Sequence, residues 1–152
     1  MQYKLIATAV ATAITLGISV QVIADTTPED ANDYRGAVMT ALRGHIGASS
    51  MIVRGLIEDN GQLLNHAESL ANTALELKNL FPAGSNVGES RALPAIWEQP
   101  EKFAEAVEAA VKATAAFEDA VVGGDAETIG AAFRAMGQSC RGCHDNFRQS
   151  DE

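Results

Sequence analysis

The sequence predicts an all-α fold, an antiparallel up-down-up-down four-helix bundle. Apolar residues recur at spacings of three and four along four segments of the chain. Aromatic residues make up only 5% of the sequence, and no segment shows the alternating pattern of a strand. Helix-capping and helix-breaking residues separate the segments. Because each predicted helix has a single apolar stripe, the four helices bury their stripes best against one another.

Capping residues and stripes of apolar residues predict the first two helices. Thr27 can cap a helix whose first turn holds Pro28, and Asp30 completes a capping box. This helix ends between residues 55 and 60, and the second runs from about 61 to 80, where Phe81 and Pro82 stop it. The two predicted stripes are Val38, Leu42, Ile46, Ser49, Ile52 and Val53, then Leu63, Ala67, Leu70, Ala74 and Leu77.

The last two helices follow a long connection that ends at Gln99 and contains one hydrophobic knot at residues 93–97. The third helix starts at Pro100 and ends at the glycine pair 123–124, and Asp125 caps the fourth. Their stripes are Phe103, Val107, Val111, Thr114, Phe117 and Val121, then Ile129, Phe133, Met136, Cys140, His144 and Phe147.

The amino terminus is typical of a secretory signal peptide. Lys4 precedes an apolar run over residues 5–22, and small or apolar residues lead to a predicted cleavage after Ala24. The alternative is an uncleaved membrane anchor, which polar residues within the run make less favourable. We therefore expect a leader over 1–24 and one exported domain over 25–152, without stable membrane insertion.

The formal net charge of −9 is strongly acidic, and removal of the lysine-bearing leader leaves −10. Such a chain repels phosphate backbones and anionic lipid, which argues against binding nucleic acid or a membrane surface. A protein partner is expected to offer a basic docking face.

The chemistry of the chain is concentrated in a C-x-x-C-H motif, Cys140, Cys143 and His144. The three positions are i, i+3 and i+4, which share one side of a helix. This motif is typical of c-type haem, whose vinyl groups form thioethers with the cysteines while the histidine ligates the iron. We therefore predict one covalently attached haem c.

Other interpretations of the motif are less favourable. A disulfide between Cys140 and Cys143 fits a regular helix poorly. A thioredoxin-like site needs the motif at a helix N-terminus, and this motif lies far inside the predicted helix. A zinc site, or a haem-free exported bundle, remains a structural alternative. His45 and His66 are interpreted as surface or boundary residues because their spacing is not that of ligands.

The chain resembles the class II cytochromes c, which comprise cytochrome c′ and its low-spin relatives. The resemblance rests on the motif in the last helix, the Tyr34-Arg35 pair, the knot at 93–97 and the segment from Cys140 to Arg148. It implies that Cys140 and Cys143 attach the haem and that His144 is the proximal ligand. It also implies Arg35 near a propionate, Glu89 and Ser90 at the haem edge, and Arg148 on the proximal side.

Met39 occupies the distal position in the register that this resemblance sets from Tyr34 and Arg35. If its sulfur ligates the iron, the protein is a periplasmic monohaem one-electron carrier, the function that we favour. If Met39 only packs over the iron, the alternative is a five-coordinate cytochrome c′ that binds NO or CO. Enzymatic activity is not expected, because residues around Met39 offer no polar acid–base group. The resemblance also suggests a homodimer.

Overall fold

The computed structural model describes residues 26–150, so the predicted leader and its cleavage site lie outside the described residues. The bundle is formed by α1, α2, α4 and α5, which confirms the predicted fold class. Within residues 26–150, no helix is long and apolar enough to cross a bilayer. The helices are α1 Pro28–Val53, α2 Gln62–Ala74, α3 Ala95–Glu98, α4 Pro100–Gly123 and α5 Ala126–Phe147.

The predicted helix caps are present. The hydroxyl of Thr27 accepts the backbone N–H of Asp30 at 3.1 Å, and the Asp30 carboxylate accepts the Thr27 hydroxyl at 2.7 Å. The carboxylate of Asp125 accepts the backbone N–H of Thr128 at 2.7 Å and thereby caps α5. Gly124 follows α4 with a φ of 74°, a left-handed conformation that favours glycine.

The second helix is shorter than predicted. It ends at Ala74, and a 3₁₀ turn over Leu77–Asn79 follows. The backbone N–H groups of Leu75 and Glu76 bond to carbonyls three residues back, so the chain tightens before the expected stop. Leu80, which follows the 3₁₀ turn, is buried at 2% exposure. The hydrophobic knot at 93–97 contributes the short helix α3.

One cluster of the hydrophobic core lies in one half of the bundle. It combines the end of α1 with the first parts of α2 and α5 and the last part of α4, and its buried members are Ile52, Leu63, Ala67, Leu70, Phe117 and Met136. Phe117 and Phe133 join α4 to α5 with ring centroids 5.4 Å apart. Met136 is the last α5 residue of this cluster, so the C-x-x-C-H motif lies beyond it.

Candidate haem-binding site

The three residues of the motif lie in the last third of α5. Cys140, Cys143 and His144 are all half-buried, and the two cysteines are not joined by a disulfide. Their spacing places them on one side of the helix, as the sequence predicts. The motif therefore offers two sulfurs and one imidazole to the same partly apolar space.

Burial controls the ionisation of both thiols. It raises the pKa of Cys140, and it raises the pKa of Cys143 to about 11, with a smaller contribution from the charge of Cys140. A redox-active C-x-x-C motif needs the opposite, a thiol whose pKa is lowered at a helix N-terminus. The structure therefore gives no support to a thioredoxin-like site, since both thiols stay neutral near pH 7.

A zinc site lacks a ligand set in the described part of the chain. Across residues 26–150, no three histidine, cysteine, aspartate or glutamate side chains come together in a way that could hold a metal ion. A closed structural zinc site needs four such ligands. Cys140, Cys143 and His144 do not converge on a point, and lie instead along a helix face that suits a flat ligand.

The C-x-x-C-H motif lies in the half of the bundle beyond the core cluster. The first part of α1 belongs to that half, and it carries Val38, which is buried, and Met39, which is half-buried. In an antiparallel bundle, the start of α1 lies at the same end as the finish of α5. An apolar wall on α1 and two thiols with an imidazole on α5 match the chemistry of a covalently bound porphyrin.

Arg35 is buried at 6% exposure and hydrogen-bonds to a connecting segment that it holds against α1. Its guanidinium donates to the carbonyl of Leu80 at 3.0 Å, and to the hydroxyl and carbonyl of Ser85 at 3.0 and 2.8 Å. It also donates to Asn32 at 2.7 Å and to Ser90 at 3.1 Å. These acceptors lie within the protein itself, so contact between Arg35 and a propionate remains a prediction.

Backbone hydrogen bonds join the same segment to the end of α5. Ala92 and Arg148 form an isolated antiparallel bridge. The N–H of Leu93 donates to the carbonyl of Phe147 at 3.0 Å, and the N–H of Gln149 donates to that of Arg91 at 2.8 Å. Residues 80–93, which we call the strap, therefore run from the start of α1 to the helix end that follows His144.

The two haem-edge candidates differ in their surroundings. Ser90 lies inside the strap, where its hydroxyl accepts from Arg35 and also from the N–H of Ala92 at 3.3 Å. Glu89 is exposed. Arg148 is half-buried, and its backbone N–H donates to the carbonyl of His144 at 3.0 Å. The structure thus brings Ser90 to Arg35 and Arg148 to His144, while Glu89 faces solvent.

Aromatic contacts at this end of the bundle were not predicted. The guanidinium carbon of Arg35 lies 4.9 Å from the ring centre of Phe81. Phe81 meets Phe103 edge to face at 4.9 Å, and Phe103 meets Phe147 in the same way at 5.2 Å. This row joins α1, the strap, α4 and α5. In the sequence these three phenylalanines lie far apart, and nothing in their spacing indicates that they meet.

The histidines outside the motif are half-buried, as boundary residues should be. The sequence did not predict that they meet. The Nδ1 atoms of His45 on α1 and His66 on α2 lie 3.0 Å apart, and the rings are tilted by 58°. Spacing along one helix could not reveal this contact, because the two residues belong to different helices.

Comparison with known proteins identifies the family of this chain. A family model described as Cytochrome C′ matches residues 30–148. Cytochrome c′ of Pararhodospirillum photometricum is 34% identical over 124 residues, covering 80% of this chain and 98% of the relative. Cytochrome c-554 of Cereibacter sphaeroides is 44% identical over 75 residues, covering 47% of this chain and 48% of the relative.

A solved structure extends the likeness to the whole bundle. The nitric oxide complex of a mutant cytochrome c prime from Alcaligenes xylosoxidans has a TM-score of 0.76 and 30% identity, covering 82% of this chain and 98% of its own. The family match, the bundle and the half-buried motif on its last helix agree with one another. This chain belongs to the cytochrome c′ family of class II cytochromes c, and it is a c-type haem cytochrome whose cofactor is covalently attached haem c.

Proposed function

We propose that this protein is a periplasmic one-electron carrier whose haem is held by Cys140, Cys143 and His144, with Met39 as the distal ligand. The observation that supports the proposal is that half-buried His144 near the end of α5 and half-buried Met39 in the first half of α1 lie toward the same end of an antiparallel bundle. When bound, the haem supplies a reversible one-electron change at its iron, and methionine ligation raises the reduction potential.

The chain's own residues define what reaches the iron. Met39 and its neighbours Val38 and Leu42 are apolar, so on the proposed distal side they offer no acid or base for oxygen chemistry. This composition supports electron transfer over an enzymatic role. Arg35 and the strap cross the end of the bundle at which we propose that the haem lies.

The charge of the protein supports an electrostatic mode of docking. The formal net charge is −9, and exposed acidic residues such as Glu105, Glu108 and Asp119 line α4. Opposite charge on a redox partner accelerates encounter and sets orientation. We therefore propose a partner with a basic docking face.

We also propose that the chain is exported by a leader that is cleaved after Ala24. Pairing of two copies of the chain is a further proposal, which light scattering tests.

Binding of NO or CO is the second candidate function. The related cytochrome c prime from Alcaligenes xylosoxidans, solved as a nitric oxide complex, favours it. In this alternative Met39 packs over the iron without ligating it, and an apolar distal pocket admits small neutral diatomic molecules.

Absorption spectra of the oxidised and reduced protein, with and without CO, distinguish the two functions. Electron transfer through a Met39-ligated iron predicts sharp low-spin bands and no rapid CO uptake. Met39→Ala should then open the iron to CO. Met51→Ala is the matched control, because Met51 lies on the same helix and is exposed. Rapid CO uptake by the unaltered protein, with a high-spin charge-transfer band, would overturn the carrier proposal in favour of gas binding.

Haem attachment itself is tested by mass. The intact mature protein should exceed the polypeptide mass by one haem. Cys140→Ala and Cys143→Ala should each leave a single thioether, which shifts the pyridine haemochrome spectrum. An unmodified polypeptide mass, in a host that matures c-type cytochromes, would contradict the proposed attachment sites.

A further inference from the structure

Two imidazoles meet outside the haem site, at the contact between α1 and α2. His45 and His66 are half-buried, and their Nδ1 atoms lie 3.0 Å apart. A hydrogen bond across this distance uses one ring as donor and the other as acceptor. Neutral imidazole is also the commonest metal ligand in proteins. We propose that this pair is a second metal site, selective for Cu²⁺ and, more weakly, Ni²⁺.

The separation of the two nitrogens points to the geometry of the ion. With metal–nitrogen bonds of about 2.0–2.1 Å, atoms 3.0 Å apart subtend roughly 90–100° at the metal. This is the angle between neighbouring ligands in a square-planar or tetragonal site, the arrangement typical of Cu²⁺ and Ni²⁺. Among divalent first-row metals, imidazole nitrogens bind Cu²⁺ most tightly, which favours this ion over Ni²⁺ and Zn²⁺.

The rings can turn toward a shared ion without moving the helices. The metal lies off the line between the nitrogens, so each ring reorients by rotation about χ2, a torsion with broad minima in histidine. The ring that donated from Nδ1 then carries its proton on Nε2. Both imidazoles remain neutral, and the ion takes one lone pair from each.

The site is open and separate from the haem. Across the described residues, no third histidine, cysteine or carboxylate joins the pair, so water fills the remaining coordination positions. His45 and Met39 are six residues apart on α1, which places them about 120° apart around the helix. His45 faces α2, as its contact with His66 shows. Occupation of the pair therefore leaves the haem ligands unchanged.

The position of the pair connects metal binding to stability. One ligand comes from α1 and the other from α2, so the ion links two helices that are joined by an eight-residue connection, 54–61. An ion that binds only the folded protein stabilises it in proportion to its free concentration. Cu²⁺ should therefore raise the unfolding midpoint of the haem-loaded protein, in a manner that requires both histidines.

The test is calorimetric titration of the haem-loaded protein with Cu²⁺, Ni²⁺ and Mg²⁺. We expect one Cu²⁺ per chain, weaker Ni²⁺ and no Mg²⁺, which prefers oxygen ligands. His45→Gln and His66→Gln should each weaken Cu²⁺ binding by about 10–100-fold or more. Asn65→Ala is the matched control, because Asn65 is exposed and adjacent to His66. Haem absorption and circular dichroism report that each variant is folded.

A second measurement needs no variant. The Cu²⁺ resonance in electron paramagnetic spectra should show coupling to two imidazole nitrogens, away from the signals of the ferric haem. Coupling to no nitrogen would overturn the proposal, as would equal Cu²⁺ affinity in the unaltered protein and in the double variant His45→Gln/His66→Gln. Residual binding at acidic residues or at the amino terminus persists in every variant and is subtracted by this comparison.

Discussion

Arg35 and Ser85 share two hydrogen bonds across fifty positions of sequence. The guanidinium donates to the Ser85 hydroxyl at 3.0 Å and to its carbonyl at 2.8 Å, and both residues are buried. Burial lowers the pKa of Arg35, but a guanidinium stays protonated in proteins. The strap is thus attached to α1 by a buried cation whose charge is compensated by carbonyl and hydroxyl oxygens.

Replacing Arg35 should loosen the strap. Arg35→Met keeps the apolar stem but leaves the carbonyls of Leu80 and Ser85 without their donor, so we expect a loss of about 2–4 kcal/mol in the free energy of unfolding. Chemical denaturation of the haem-loaded protein measures this loss. Arg43→Met is the control, since Arg43 is exposed on the same helix. Equal stability of the two variants would contradict the role of Arg35.

Replacing Ser49 should instead raise the free energy of unfolding. It is fully buried at 0% exposure, and within the described residues its hydroxyl has no hydrogen-bond partner. Ser49→Ala removes an unpaired polar group and places a better helix former in α1. The free energy of unfolding should rise by about 1 kcal/mol. Ser50→Ala, at a half-buried neighbour, provides the comparison. A less stable Ser49→Ala protein would show that the hydroxyl has a partner in solution.

The end of α4 depends on a glycine conformation. Gly124 has a φ of 74°, which a residue with a Cβ adopts only at a cost. Gly124→Ala should lower the free energy of unfolding by about 1 kcal/mol. Gly123→Ala, at the last helical position with open space around its Cβ, should be neutral or slightly stabilising. Thermal unfolding of the two variants side by side measures the difference, and equal melting temperatures would refute the assignment.

The features that the sequence predicted correctly are local. Thr27 with Asp30 and Asp125 with Thr128 form caps within one turn, so a short window of sequence contains both partners. The C-x-x-C-H motif is also local, because a single helical turn places its three residues on one side. The roles of these residues stay a prediction. The four apolar stripes then leave few ways for helices of this length to pack.

The features that the sequence did not predict depend on distant contacts. Arg35 on α1 donates hydrogen bonds to Ser85 and Ser90 in the strap. His45 on α1 contacts His66 on α2. The early end of α2 at Ala74 could not be predicted either, because the residues that follow contain no strong helix breaker before Pro82. Propensity along the chain contains no information on which of these partners meet.

The thiols of the haem-free chain provide a prediction with a defined pH range. Burial raises the pKa of Cys143 to about 11, so its reactive thiolate is scarce at neutral pH. At pH 8, alkylation of Cys143 in the folded haem-free chain should be about a hundredfold slower than in the denatured chain, where an ordinary thiol pKa applies. Mass analysis of peptides after timed labelling reads Cys140 and Cys143 separately.

The sign of the accompanying stability change follows from the direction of the shift. Because the folded state binds the thiol proton more tightly than the unfolded state, the stabilisation is complete below the ordinary thiol pKa. It is lost as the pH rises through about 11, the pKa of folded Cys143. The haem-free chain should therefore lose stability between about pH 8.5 and 11, whereas a haem-loaded protein with both thiols converted to thioethers should not. Rapid alkylation of folded Cys143 at pH 8, or an alkaline transition identical in both forms, would show that this thiol is not buried in the haem-free bundle.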